Sequence, residues 1–179
     1  MKAPKVHDLG DVRGPLRPYA RTLIALDTAA GWTIVALISV MVVVVSLQVL
    51  LRYAMNSSLG WADEVSRLTF VWSMFLAIPL GIRAGVHIGM ELLTARLSPS
   101  VQNVLARLVA AIAAAMMVLV AWQSAVIAFD QWDEKMASME WSAAWFIVAV
   151  AIGSTHSALH LVWITLTGKP RSTGPVATE

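Results

Sequence analysis

Cysteine is absent from this chain of 179 residues, and charged residues are scarce. Without cysteine there is no disulfide, no thiol nucleophile and no thiolate metal site, and cysteine usage cannot indicate the redox compartment. Only 13% of the residues are charged and 58% are hydrophobic, whereas a soluble domain carries about a quarter charged residues. A soluble fold would have too little polar surface to cover itself, so the composition indicates an integral membrane protein.

Long uncharged stretches divide the chain into four segments. Residues 29–51, 108–129 and 141–167 each reach the roughly 20 residues that cross a bilayer. The remaining stretch, between Arg67 and Arg83, has 15 uncharged residues and is too short by itself. Its helix must include the charged flank, and a start near Trp61 gives a length of about 33 Å.

We therefore predict an all-α membrane protein with a single four-helix transmembrane domain at residues 29–167, flanked by a cytoplasmic segment 1–28 and a cytoplasmic tail 168–179. The spans lie at about 29–51, 61–83, 106–129 and 141–167. The first run is too long for a signal-peptide core, so we read it as a retained helix. Short interfacial helices are expected beside the spans, and Arg17 to Asp27 is one candidate.

The basic residues sort by side of the membrane. Ten of the thirteen lysines and arginines precede the first span, lie between the second and third, or follow the fourth. Because cytoplasmic loops are rich in lysine and arginine, both termini are predicted to be cytoplasmic. The loop "DQWDEKMASMEW" then faces outward, and its acids Asp130, Asp133, Glu134 and Glu140 are candidates for docking a basic partner, although a plain solvated loop explains them equally well.

A polar cluster joins the first two spans. Helical spacing places Asp63 and Glu64 within reach of Arg67, and Arg52 ends the first span, where a cation favours the carbonyl end of a helix. Interfacial snorkelling of each charge to water is the simpler interpretation. Together with Asn56 and Trp61, the four balanced charges favour a cluster that fixes the helix junction or contacts a partner.

The residues from Arg52 to Leu93 resemble the small membrane subunit, DctQ type, of tripartite ATP-independent periplasmic (TRAP) transporters. The matching positions are Arg52-Tyr53, Asn56, Ser58-Leu59, Trp61, Glu64, Arg67, Phe70-Val71-Trp72, Phe75-Leu76, Arg83-Ala84-Gly85-Val86-His87-Ile88 and Glu91-Leu92-Leu93. Ala77 stands where a glycine is common and Glu91 where an aspartate is common, and both departures are conservative.

The resemblance implies a bacterial inner-membrane protein without catalysis or cofactor of its own. In such transporters a periplasmic binding protein captures a small organic acid, and a large multi-span membrane subunit imports it with sodium. The small subunit packs against the large one and is expected to help dock the binding protein. The resemblance implies a periplasmic position for Arg52, Asn56, Trp61, Glu64 and Arg67. It also implies a structural role for His87, for which a solvated loop histidine is the alternative. Asp63 and Trp72 join them as candidate contact residues. Lipid is a further expected partner, and nucleic acid is not.

His156 and His160 stand four residues apart in the fourth span, a spacing used by metal ligands on helices. No third ligand is evident in the sequence, so we expect no metal there and favour hydrogen bonding to a neighbouring helix.

Two alternative functions remain open. One is a haem- or quinone-binding anchor of a respiratory enzyme, which the placement of the histidines disfavours. The other is a self-contained small transporter, which should carry an ionisable residue in mid-membrane. The predicted spans have none near their middle apart from the histidines.

Overall fold

The described part of the chain is helical, as predicted. The computed structural model of the chain describes residues 16–57, 59–84 and 98–168. They form α1 (Arg17–Ala54), α2 (Ala62–Arg83), α3 (Pro99–Asp130) and α4 (Ala144–Thr167). All four helices are long and apolar enough to cross a membrane. The prediction of an all-α protein with four candidate spans is therefore confirmed, and the orientation with both termini inside stays a prediction.

The helix ends follow local sequence signals. α2 has Trp61 at its N-cap and carries Asp63 and Glu64 in its first turn, where acids favour the helix dipole. Ser98 is the N-cap of α3, and Pro99 follows as its first residue. α4 ends at Gly168, whose φ of 75° is a left-handed conformation that glycine adopts without strain.

The helices pack in the order α1, α2, α4, α3 rather than in chain order. α4 lies between α2 and α3, and α1 packs mainly on α2. α1 has 38 residues and is about 57 Å long, well beyond the roughly 30 Å of a bilayer core. It touches α4 only near its N-terminal end, where Tyr19 Oη donates to the carbonyl of Leu159 at 2.6 Å.

The residues from Arg17 to Asp27 are not a separate interfacial helix. They are the first turns of α1, so this expectation was wrong. The reason is packing against α4: Ala20 and Leu23 are fully buried and form a cluster with Trp163. The Tyr19 and Trp163 rings add an aromatic contact with a centroid distance of 5.9 Å.

Small residues let the two central helices approach closely. A Cβ atom on Gly153 of α4 would lie 2.5 Å from the backbone oxygen of Phe75 in α2. Ser157 is fully buried on the same helix. On its other side α4 meets the alanine-rich face of α3, where Ala110 and Ala114 pack with Leu161. This is the contact pattern expected when helices associate without a hydrophobic driving force between them.

The outer faces of α1 and α3 are lined by large apolar side chains. Val43 and Leu50 on α1 and Val104, Trp122 and Phe129 on α3 are all more than half exposed. A contiguous apolar surface of this kind is typical of a lipid or protein contact. The protein is therefore a multi-pass membrane protein whose edge helices meet lipid or another subunit.

We predict that Gly153→Ala destabilises the helix bundle. The added methyl group would collide with the backbone of Phe75, and overpacking of this kind costs about 1–3 kcal/mol. The measurement is the thermal unfolding midpoint in a fixed detergent. Gly31→Ala in α1 is the matched control because nothing lies within 4 Å of a Cβ there; equal midpoints for the two variants would contradict the packing described.

Candidate functional site

A buried carboxylate joins three helices. Asp27 of α1 is only 3% exposed. Its Oδ1 accepts from His156 Nε2 at 3.1 Å and from His160 Nε2 at 2.7 Å, and its Oδ2 accepts from Arg83 Nη1 at 3.1 Å. Because an ionised carboxylate can only accept, both imidazoles must carry a hydrogen on Nε2. We call Asp27, Arg83, His156 and His160 the junction cluster.

Each member of the junction cluster is placed by its helix. His156 and His160 stand four positions apart and therefore lie on one face of α4, with ring centroids 5.1 Å apart. Arg83 is the last residue of α2, where a cation also complements the helix carbonyl end. A charge buried at this depth is costly unless it is paired and hydrogen-bonded, and Asp27 has donors from both neighbouring helices.

Asp27 precedes the first uncharged run and was expected in the N-terminal segment, and no third ligand for the histidine pair was evident from the sequence. The expected hydrogen bonding of the histidines to a neighbouring helix is present, because Asp27 of α1 accepts from both. The Asp27, His156 and His160 side chains bring three potential ligand atoms within 4.8 Å of one another. One signal was available, since the distribution of bases placed Arg83 on the same side of the membrane as the start of the first helix.

At the opposite end of the bundle, Glu64 holds the loop between α3 and α4. Its carboxylate accepts from the Ser138 backbone N–H, at 3.1 Å from each oxygen, and from Ser138 Oγ at 2.6 Å. Backbone bonds from Met136 to Trp141 and from Ala143 to Glu134 close this loop into a hairpin, residues 134–143. Glu64 is only 5% exposed, and its hydrogen bonds to Ser138 hold the hairpin against the start of α2.

The other predicted members of the polar cluster have different partners from those that helical spacing suggests. Asp63 accepts from Gln48 Nε2 at 3.1 Å, which ties the start of α2 to α1. The Arg67 guanidinium lies 5.6 Å from the centroid of the Phe146 ring. Within the described ranges, neither Asp63 nor Glu64 forms an ion pair with Arg67.

Arg52, Asn56 and Trp61 line the connection between α1 and α2. Arg52 is exposed in the last turn of α1, and Asn56 is exposed with a φ of 47°. Such a left-handed conformation is more readily adopted by asparagine than by most other residues. Trp61 is also exposed. These side chains are free to contact lipid or a partner.

Several tryptophan side chains lie close to the hairpin. Trp72 Nε1 donates to the backbone oxygen of Trp145 at 3.1 Å, so this predicted contact residue ties α2 to α4. Trp132 packs on Trp145 with a centroid distance of 6.0 Å. An open groove here is lined by Trp132, Trp141 and Trp145. Tryptophans near one end of a helix bundle are typical of the aromatic belt at a membrane–water interface.

The four acids at the end of α3 and in the loop that follows it are exposed, and one of them forms an ion pair. Glu140 forms an ion pair with Lys135 across the hairpin, whereas Asp130, Asp133 and Glu134 are exposed at the end of α3 and the start of the hairpin. Asp133 and Glu140 line the same open groove, and all four acids are accessible. His87, Ser58 and Glu91 lie outside the described residues.

We predict that Asp27→Asn lowers stability by roughly 3 to 5 kcal/mol, because it removes the ionised acceptor of two buried histidines and the counter-charge of the partly buried Arg83. The thermal unfolding midpoint in a fixed detergent is again the measurement. Asp63→Asn is the matched control, since Asp63 is exposed and a surface change costs within about 0.5 kcal/mol. The double variant Asp27→Asn, Arg83→Gln should lose less stability than the sum of the losses of the two single variants. Strictly additive losses would argue against an interaction between Asp27 and Arg83.

Comparison with known proteins identifies the family. The profile described as "Tripartite ATP-independent periplasmic transporters, DctQ component" matches residues 41–167. A Haemophilus influenzae protein named as a TRAP transporter small permease protein is 32% identical over 71 residues, which cover 40% of this chain and 44% of the relative. No solved structure matches the chain significantly. Because the family profile covers most of its length, the protein belongs to the DctQ component family of tripartite ATP-independent periplasmic transporters.

Proposed function

We propose that this chain is the small scaffold subunit of a sodium-coupled, binding-protein-dependent importer of small organic acids in the bacterial inner membrane. The observation that carries the proposal is the family match over residues 41–167, on a chain with four helices able to cross a membrane. The family is one of transporters and not of enzymes. Sodium coupling and the organic-acid substrate come from the family resemblance, and we assign no residue of this chain to either.

The geometry supports a scaffold role. The junction cluster ties α1, α2 and α4 together at one end of the bundle, and Glu64 ties α2 to the hairpin at the other. α2 and α4 are therefore held at both ends. The edge helices α1 and α3 leave large apolar surfaces exposed. A rigid centre with apolar edges suits a subunit that holds a larger multi-span subunit in the bilayer.

The hairpin supports a docking role for the outer surface. The hairpin carries the exposed acids Glu134 and Glu140, and Asp133 is exposed directly before it. Glu64 holds the hairpin through Ser138. Clustered acids steer a partner with a basic patch and raise its association rate at low salt. We therefore propose that a basic surface of the periplasmic binding protein meets this hairpin, with Arg52 and Arg67 as neighbouring contact candidates.

The scaffold proposal predicts a stable complex in the membrane. A tagged copy in the native host, solubilised in mild detergent, should copurify with one polytopic protein of many spans, identified by mass spectrometry. The sample should be colourless in an absorption spectrum. A haem spectrum, or a chain that comes out alone and transports a substrate in liposomes, would favour one of the two other functions.

The docking proposal predicts a salt-dependent association with the binding protein. Replacing Asp133 and Glu134 by lysine in the reconstituted complex should slow association by at least about tenfold at low salt and flatten its salt dependence. Glu64→Ala should also weaken docking because it releases the hairpin, and we expect a smaller loss for Arg52→Ala. Gln48→Ala, which removes a polar side chain of α1 that is not a candidate contact, is the control. Unchanged association in the lysine variant and in Glu64→Ala would remove the hairpin from the docking surface.

A further inference from the structure

We propose that Asp27, His156 and His160 form a binding site for a first-row divalent transition metal, of which zinc is the model case, between α1 and α4. The family assignment does not require such a site. The proposal rests on the three side chains alone, all of them buried, and on the way their ligand atoms converge.

The ligand atoms are close to a coordination arrangement. Oδ1 of Asp27 lies 3.1 Å from His156 Nε2 and 2.7 Å from His160 Nε2, and all three atoms lie within 4.8 Å of one another. Metal–ligand bonds of about 2.0 to 2.1 Å in a tetrahedral site place neighbouring ligand atoms about 3.3 Å apart. To hold a metal ion, the two Oδ1–Nε2 distances would lengthen by a few tenths of an ångström, and the two histidine ligand atoms, which lie within 4.8 Å of each other, would settle at about 3.3 Å. Two imidazoles and one carboxylate suit zinc, cobalt or iron, and three protein ligands leave a position for water.

Metal binding requires a tautomer change at both histidines. In the hydrogen-bonded cluster each Nε2 carries the hydrogen that it donates to Asp27. Coordination needs the Nε2 lone pair, so this hydrogen leaves Nε2 while another proton is taken up at Nδ1. Each ring remains neutral, and no net proton is released. The N–H···O bonds to Oδ1 are replaced by bonds from Oδ1 and the two Nε2 atoms to the metal.

Arg83 is the competitor of the metal. The cluster without metal is neutral, because the Asp27 carboxylate balances the Arg83 guanidinium. A divalent cation added to this arrangement would repel Arg83. The Arg83 side chain is 14% exposed and stands at the end of α2, so it can withdraw towards water or lipid headgroups. Metal binding would thereby exchange the ion pair between α1 and α2 for a coordination link between α1 and α4, and it would loosen α2.

The test uses Co²⁺ as a spectroscopic probe. The full chain carries a tag without histidine and is purified together with its partner subunit. It is then titrated with Co²⁺ while the visible d–d absorption is recorded. We expect one Co²⁺ ion to bind per chain. The visible absorption band should saturate and be typical of Co²⁺ with nitrogen and oxygen ligands. Zn²⁺ should displace it. Asp27→Asn and His160→Gln should each weaken binding by about 100-fold or more, and Arg83→Gln should tighten it by roughly tenfold, because the competing charge is gone.

The control variant is His7→Gln, His87→Gln, which removes the two histidines outside the site and should leave the band unchanged. The Arg83→Gln variant keeps all three ligands and therefore tests the proposal even if Asp27→Asn fails to fold. Absence of a saturable band in the unaltered chain would overturn the proposal. A band lost in the control variant, or an Arg83→Gln variant that binds Co²⁺ more weakly, would overturn it too. These outcomes are independent of whether the complex transports organic acids.

Discussion

The arrangement of three of the four helices depends on how one buried carboxylate is compensated. Asp27 lies inside the bundle, where an unpaired charge would be costly. Its compensation comes from Arg83 on α2 and from two histidines on α4. Hydrogen bonds are short and directional, so a shift of α1 by one residue along its axis would break these contacts. The carboxylate therefore sets the register of α1 against both neighbours.

Packing between apolar surfaces alone would not set that register. Lipid tails are as apolar as leucine or valine, so helices in a membrane gain little from burying such side chains against each other. The contacts that do specify the bundle are close approaches at small residues and polar bonds. Gly153 against Phe75 is one such close approach between α2 and α4. Large apolar residues are left on the outer faces of α1 and α3, where lipid or another subunit accommodates them equally well.

The two ends of the bundle use acids in different ways. Asp27 is paired with charged and ring donors from other helices, and this makes it a joint between long rigid elements. Glu64 instead accepts from the backbone and hydroxyl of Ser138, and this makes it an anchor for a loop. The contacts of Asp27 join helices to one another, whereas the contacts of Glu64 fix the position of a loop. The proposed scaffold role needs both a fixed interior and a defined exposed face. If the junction cluster also binds a metal, the contacts of α1 with α2 and α4 change with metal occupancy.

The sequence by itself determined the class of the protein. Four uncharged stretches, a short second span that had to include its charged flank, and the run of residues from Arg52 to Leu93 were enough for the helices and the family. These features depend on length, composition and local order, which a linear reading contains. Helical spacing likewise placed His156 and His160 on one face, because neighbours four residues apart need no tertiary information.

Only the tertiary structure decided the partners of the buried acids. Local spacing suggested Arg67 for Glu64, but Glu64 bonds to Ser138, which is 74 residues away. Asp27 meets His156 and His160 across 129 and 133 residues, and Arg83 across 56. Such contacts depend on which helices are neighbours and in what register, and here the helix order α1, α2, α4, α3 differs from chain order. Sequence periodicity describes the faces of a single helix, whereas a polar group between helices finds its partner only when the helices have packed.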